Sequence, residues 1–132
     1  AAAPSLAETD MEAARKLLTP LGLVEGPMDE KTMVAATGIS GCGPAYVFLL
    51  AEVMAEAGEA EGVPKETAAR LAVETIIGAA ALMEKSGLTP NELRKMVTSP
   101  GGIMDDGGMP ILMRKALRAA VTRDRELSRE PD

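Results

Sequence analysis

The sequence predicts an all-α fold, a helical bundle, and three features of it do so. Residues 45–57 carry only Glu52 and Glu56 as strongly polar side chains, four apart and so on one stripe of a helix. Residues 64–86 repeat apolar side chains at helical spacing between a Gly62-Val63-Pro64 break and Gly87. The composition is 46% hydrophobic but 2% aromatic, which points to a core of Ala, Leu, Val, Ile and Met with closely approaching helices. A helix as apolar as 45–57 needs cover on nearly every side. One small domain rarely supplies it, so the core is expected to include a second chain.

The N-terminal end, Ala1-Ala2-Ala3-Pro4, has no basic segment and no initiating Met, which suggests a processed or cut start. Thr9 or Asp10 is placed to cap a first helix through about Leu18, which Pro20 and Gly22 stop. Leu23-Val24-Glu25 reads as a lone strand bounded by Gly26-Pro27. A strand without a sheet hints that residues 1–28 belong to something larger.

Asp29 opens a short helix to about Ala36, and a turn from Gly38 to Gly43 follows. Pro44 suits the first turn of the apolar helix, where its missing N–H costs no bond, and that helix is expected to end near Gly58. In residues 64–86 we expect Ala68, Leu71, Ala72, Ile76, Ala79, Ala80 and Met83 to face inward, with Gly87 as C-cap. Thr89-Pro90-Asn91-Glu92 starts a short helix that ends at Ser99-Pro100. The last helix, about 109–128, sets Leu112, Ala116, Ala119 and Ala120 on one side and its basic residues on the other.

A length of 132 residues allows one ordinary domain and not two full-sized ones. The net charge of −6 disfavours nucleic acid and anionic membrane as partners. No uninterrupted apolar run is expected to reach membrane-spanning length. Arg114, Lys115, Arg118, Arg123, Arg125 and Arg129 gather late but interleave with acids, as a solvated face does. A single cysteine, Cys42, excludes an intrachain disulfide and suggests a reducing, cytoplasmic setting. The absence of His removes the commonest general base and metal ligand.

Gly41-Cys42-Gly43 begins like a dinucleotide fingerprint, but Tyr46 stands where a third glycine belongs and no acidic strand end follows. Gly38-Ile39-Ser40-Gly41-Cys42 likewise lacks the last glycine of a nucleophile elbow. Cys42 is read as a small residue beside a tight turn, with a reactive thiol as the sharper alternative. Glu52, Glu56 and Glu59 are read as a solvated seam in preference to a cation site. Ser99-Pro100-Gly101-Gly102 is the best place for ligand contact, because two glycines expose successive N–H groups to a carboxylate or phosphate. An ordinary loop fits those four residues equally well.

Ser40-Gly41-Cys42-Gly43-Pro44-Ala45-Tyr46-Val47-Phe48, then Gly62-Val63-Pro64, Ser99-Pro100-Gly101-Gly102 and Arg123-Asp124-Arg125-Glu126-Leu127, together resemble pyrroline-5-carboxylate reductase. The likeness covers residues 29–129 and concerns the C-terminal dimerisation domain. It implies an intertwined homodimer whose full-length form carries an N-terminal Rossmann domain for NADPH and reduces 1-pyrroline-5-carboxylate to proline. Residues 8–28 are similar to the last helix and strand of that nucleotide domain. The implied division is therefore a remnant with an αβ character at 1–28 and a helical dimerisation domain at 29–132.

By the same resemblance Ser99, Pro100, Gly101 and Gly102 hold the substrate carboxylate. No catalytic residue, cofactor-binding residue or metal ligand is assigned in this chain, which is expected to be inactive alone. The family pattern continues into two threonines, where this chain has Ile103 and Met104, and losing a hydroxyl bond to a charged carboxylate costs about 1.5–3 kcal/mol. Asp105 and Asp106 add negative charge nearby, and Cys42 stands where serine is usual. The implied partner is a second copy, with a higher oligomer or a full-length reductase subunit left open. The alternative is a stand-alone helical interaction module derived from the domain.

Overall fold

The computed structural model describes residues 7–98 and 108–127. Its helices are α1 (Glu8–Leu18), α2 (Glu30–Ser40), α3 (Gly43–Ala60), α4 (Lys65–Ser86), α5 (Pro90–Val97) and α6 (Gly108–Leu127), with a 3-10 turn at Thr19–Leu21. The all-α class holds, and no strand occurs among the described residues. These residues form two compact units, one of 7–41 with 117–127 and the other of 42–98 with 108–116.

In the first unit, α1 starts at Glu8 behind an extended Ala7, so neither Thr9 nor Asp10 caps it. Glu8 and Asp10 instead lie in its first turn and Arg15 and Lys16 in its last, each matching the sign of the helix dipole. Leu23-Val24-Glu25 is not a strand. A strand is defined by its ladder, and no described segment pairs with this one.

Asp29 does open α2: its Oδ1 accepts from the Thr32 N–H at 2.8 Å and its Oδ2 from the Thr32 hydroxyl at 3.0 Å. These bonds, the backbone one foremost, hold the Asp29 carboxyl below its ordinary pKa. The helix runs a turn beyond Ala36, so the expected Gly38–Gly43 turn shrinks to Gly41 and Cys42. Gly38 is a packing residue: a Cβ there would stand 3.0 Å from Leu117 and 3.1 Å from Val121 of α6. Its missing side chain lets α2 and the end of α6 touch.

In the second unit, α3 and α4 form an antiparallel hairpin joined by residues 61–64. Pro44 sits in the first turn of α3 as expected, and the helix continues two residues past Gly58. It ends in a left-handed glycine motif: Gly62 has φ +94°, the Gly62 N–H donates to Glu59 O and the Val63 N–H to Gly58 O. Close approach of the two helices is set by Gly58, where an added Cβ would meet that of Ala68 at 3.4 Å. Gly87 closes α4 at φ +69°, as the sequence predicts.

Thr89 caps α5 with Pro90 in its first turn, and Glu92 makes the cap reciprocal. The Glu92 N–H donates to Thr89 Oγ1 at 3.3 Å and the Thr89 N–H to Glu92 Oε2 at 2.8 Å. In α6 the half-buried stripe is Ala116, Leu117, Ala120, Val121 and Asp124, whereas Leu112 and Ala119 are exposed. The expected stripe was rotated because it ignored Leu117 and Val121, the two residues that meet Gly38.

Candidate functional site

The apolar residues of the second unit exceed the cover that one chain gives them. Among the described residues only Ala68, Ala72 and Leu93 are buried and hydrophobic. On α3 the half-buried positions are Gly43, Tyr46, Leu50, Ala51, Ala55 and Gly58, which fall on one half of the helix. The other sides leave Phe48 71%, Leu49 56% and Val53 50% exposed. On α4, Ala68 and Ala72 are buried and Ile76 half-buried, while Leu71, Ile77 and Met83 remain 58%, 55% and 46% exposed. The inward set expected for α4 is thus only partly covered. Ala79 and Ala80 are also exposed, because α3 covers a single narrow stripe.

An apolar helix covered on one side only invites the membrane reading. The run Glu30–Ala60 does reach spanning length, with a mean hydropathy of 1.5 in its most apolar window, which corrects the expectation that no such run exists. The run is two helices that break at Gly41 and Cys42, and Pro44 follows. Broken helices are tolerated in lipid only where other protein satisfies the freed backbone groups.

Three other candidates are at or near α3. Cys42 is half-buried and free, at the N-cap of α3, where its side chain makes no capping bond. The Tyr46 hydroxyl is covered yet has no hydrogen-bond partner among the described residues, although the Cys42 thiol is near enough to act on it. Desolvation, and after it the thiol, raises the Tyr46 pKa above the ordinary phenol value. Glu52, Glu56 and Glu59 are exposed, and no group of metal-ligating side chains occurs among the described residues. The solvated seam expected of these carboxylates is what the structure has.

The segment before Gly41-Cys42-Gly43 is helix α2 rather than a strand. A dinucleotide cradle needs a strand feeding the glycine turn, so this turn does not fit NADPH. The first unit has an open groove of about 770 Å³ between α1, residues 23–28 and α2, lined mostly by apolar side chains with Arg15 and Glu25 at its edge. Ser99, Pro100, Gly101 and Gly102, together with Ile103, Met104, Asp105 and Asp106, lie outside the described residues. Sequence reasoning missed Gly38, Leu117 and Val121. The pairs Ala116-Leu117 and Ala120-Val121, four residues apart, were the available signal.

Residues 30–127 match the sequence model of the family described as pyrroline-5-carboxylate reductase dimerisation. Pyrroline-5-carboxylate reductase of Pseudomonas aeruginosa is 40% identical over 126 residues, covering 90% of this chain and 46% of that protein. The structure of a pyrroline-5-carboxylate reductase from Coxiella burnetii aligns with a TM-score of 0.84 at 35% identity, over 97% of this chain and 50% of that one. Pyrroline carboxylate reductase of Plasmodium falciparum, solved with NADP bound, gives a TM-score of 0.78 at 28% identity, over 96% and 50%. The chain therefore spans about half the length of the reductases it matches.

Proposed function

Because this chain belongs to the pyrroline-5-carboxylate reductase dimerisation family, we propose that it is the dimerisation and substrate-side part of such a reductase, working as an intertwined homodimer. The observation that carries this reading is the uncovered apolar surface of α3 and α4. Completing the burial of Phe48, Leu49, Val53, Leu71 and Ile77 contributes roughly 1 kcal/mol each. Association costs about 4–15 kcal/mol in lost freedom, so the interface must extend well beyond these five, as interlocked chains allow.

In this reading residues 1–28 are the end of a nucleotide-binding domain, and residues 29–132 are the dimerisation domain proper. The exposed Leu17, Leu21 and Leu23 are apolar surface that such a domain would cover. NADPH binds in that domain, supplies the hydride, and has no seat on α2 or α3. Ser99, Pro100, Gly101 and Gly102 receive the carboxylate of 1-pyrroline-5-carboxylate through backbone N–H groups. The single free thiol of Cys42 suits a reducing cytoplasm.

The test is a pair of assays of NADPH-dependent reduction. The pure 132-residue chain is expected to show no turnover. A fusion carrying the N-terminal half of the Pseudomonas aeruginosa relative is expected to show turnover, weakened by Ile103 and Met104. Turnover by the pure chain, or none by a folded dimeric fusion, contradicts the reading.

A further inference from the structure

Two exposed helix faces carry the same pattern with opposite charge. On α3, Leu49, Glu52 and Glu56 stand at i, i+3 and i+7, so they form one stripe down the helix. On α6, Ile111, Arg114 and Arg118 stand at the same spacing. Leu49 is 56% exposed and Ile111 47%, and the four charged side chains are exposed. Among the described residues none of those four is in an ion pair.

The α3 stripe lies away from the side that packs on α4. On α6, Leu117 and Val121, which meet Gly38, follow Arg114 by three and seven residues and so border this stripe. The residues of both stripes are exposed while each helix is held by its own chain. The charge balance sharpens the match: Lys and Arg total 14 against 20 acids, yet α6 is basic along this face. A second copy is the partner whose charge pattern the page supplies.

We infer that α6 of one copy lies parallel to α3 of the other, with Ile111 beside Leu49, Arg114 beside Glu52 and Arg118 beside Glu56. This rests on the homodimer proposed above and adds the contact and its register. Arg114 and Arg118 are about 6 Å apart along the helix, and so are Glu52 and Glu56, so both pairs close together. The reverse orientation also aligns the two charge pairs but sets Ile111 against Glu59 and separates it from Leu49. Exposed ion pairs contribute little energy, and their main effect is to fix orientation and reject wrong registers.

A two-fold dimer makes this contact twice, which gives a direct test. One chain carries Glu52→Lys and Glu56→Lys, and another carries Arg114→Glu and Arg118→Glu. Each alone places like charges in both contacts and is expected to weaken its homodimer at least tenfold by sedimentation. Mixed, the two place opposite charges in both contacts, and native mass spectrometry is expected to show mainly the heterodimer. Should a variant lose helicity, Leu49→Cys and Ile111→Cys chains on a Cys42→Ser background are mixed and oxidised, and a disulfide-linked pair is expected.

Homodimers as tight as the unaltered protein, no preference for the mixed pair, or no cross-link would overturn the inference. In each case a dimeric unaltered chain leaves the dimerisation reading standing. A monomeric unaltered chain removes both.

Discussion

Single residues fix where the helices of this chain start and meet. The clearest case is the cap of α5, where Thr89 and Glu92 satisfy each other's backbone N–H groups. Thr89→Ala removes the hydroxyl acceptor and is expected to cost about 1 kcal/mol, read as a lower unfolding midpoint. The hydroxyl bond from Thr89, then its backbone N–H, depresses the Glu92 pKa, and Thr32, its backbone N–H foremost, depresses that of Asp29. A depressed folded-state pKa gives stability that is full above the unfolded value and lost as pH falls through the folded one. Unfolding midpoints are therefore expected to be flat above about pH 5 and to drop below about pH 4. In Thr89→Ala the drop should be shallower. Asp29 and Thr89 were legible because a cap is a local arrangement of neighbouring residues. Gly38 was not, because its meaning lies 79 residues away at Leu117, and the sequence around it reads equally well as a turn.

At the scale of elements, the α3–α4 hairpin is the best-defined object, and its geometry turns on glycines with different roles. Gly62 is favoured by its backbone angle, whereas Gly58 lies where the helices approach and a Cβ would just touch that of Ala68. Gly62→Ala forces a side chain into the left-handed region and is expected to cost about 1–2 kcal/mol, seen as a lower denaturation midpoint with unchanged dimer mass. The two long helices and the Gly87 cap follow from periodicity and punctuation, so the sequence displays them. The faces of α4 and α6 were harder. Periodicity shows that a stripe is apolar, but only a neighbour decides which part of it is covered. The expected strand at Leu23-Val24-Glu25 failed for a related reason: local composition favours extension, and the ladder depends on residues elsewhere. The candidate ligand turn at Ser99-Pro100-Gly101-Gly102 is known here by its sequence, and its chemistry is argued from the glycines alone.

For the whole molecule, the decisive feature is apolar surface without cover in one copy. Phe48, Leu49, Val53, Leu71 and Ile77 are all at least half exposed, on helices whose sequences are those of a protein interior. The need for a second chain was legible from residues 45–57 alone, because no polar stripe there is wide enough to face water. The family to which the chain belongs points to a second copy as the cover, and the matched stripes of α3 and α6 are the basis of the register inferred above.

The most direct measurement is light scattering coupled to size exclusion over a dilution series, with denaturant unfolding at each concentration. The account predicts twice the chain mass of 13.7 kDa and an unfolding midpoint that rises with protein concentration, since folding and association are linked. A stable monomer whose midpoint ignores concentration would contradict it, by showing that α3 and α4 find their cover within a single chain.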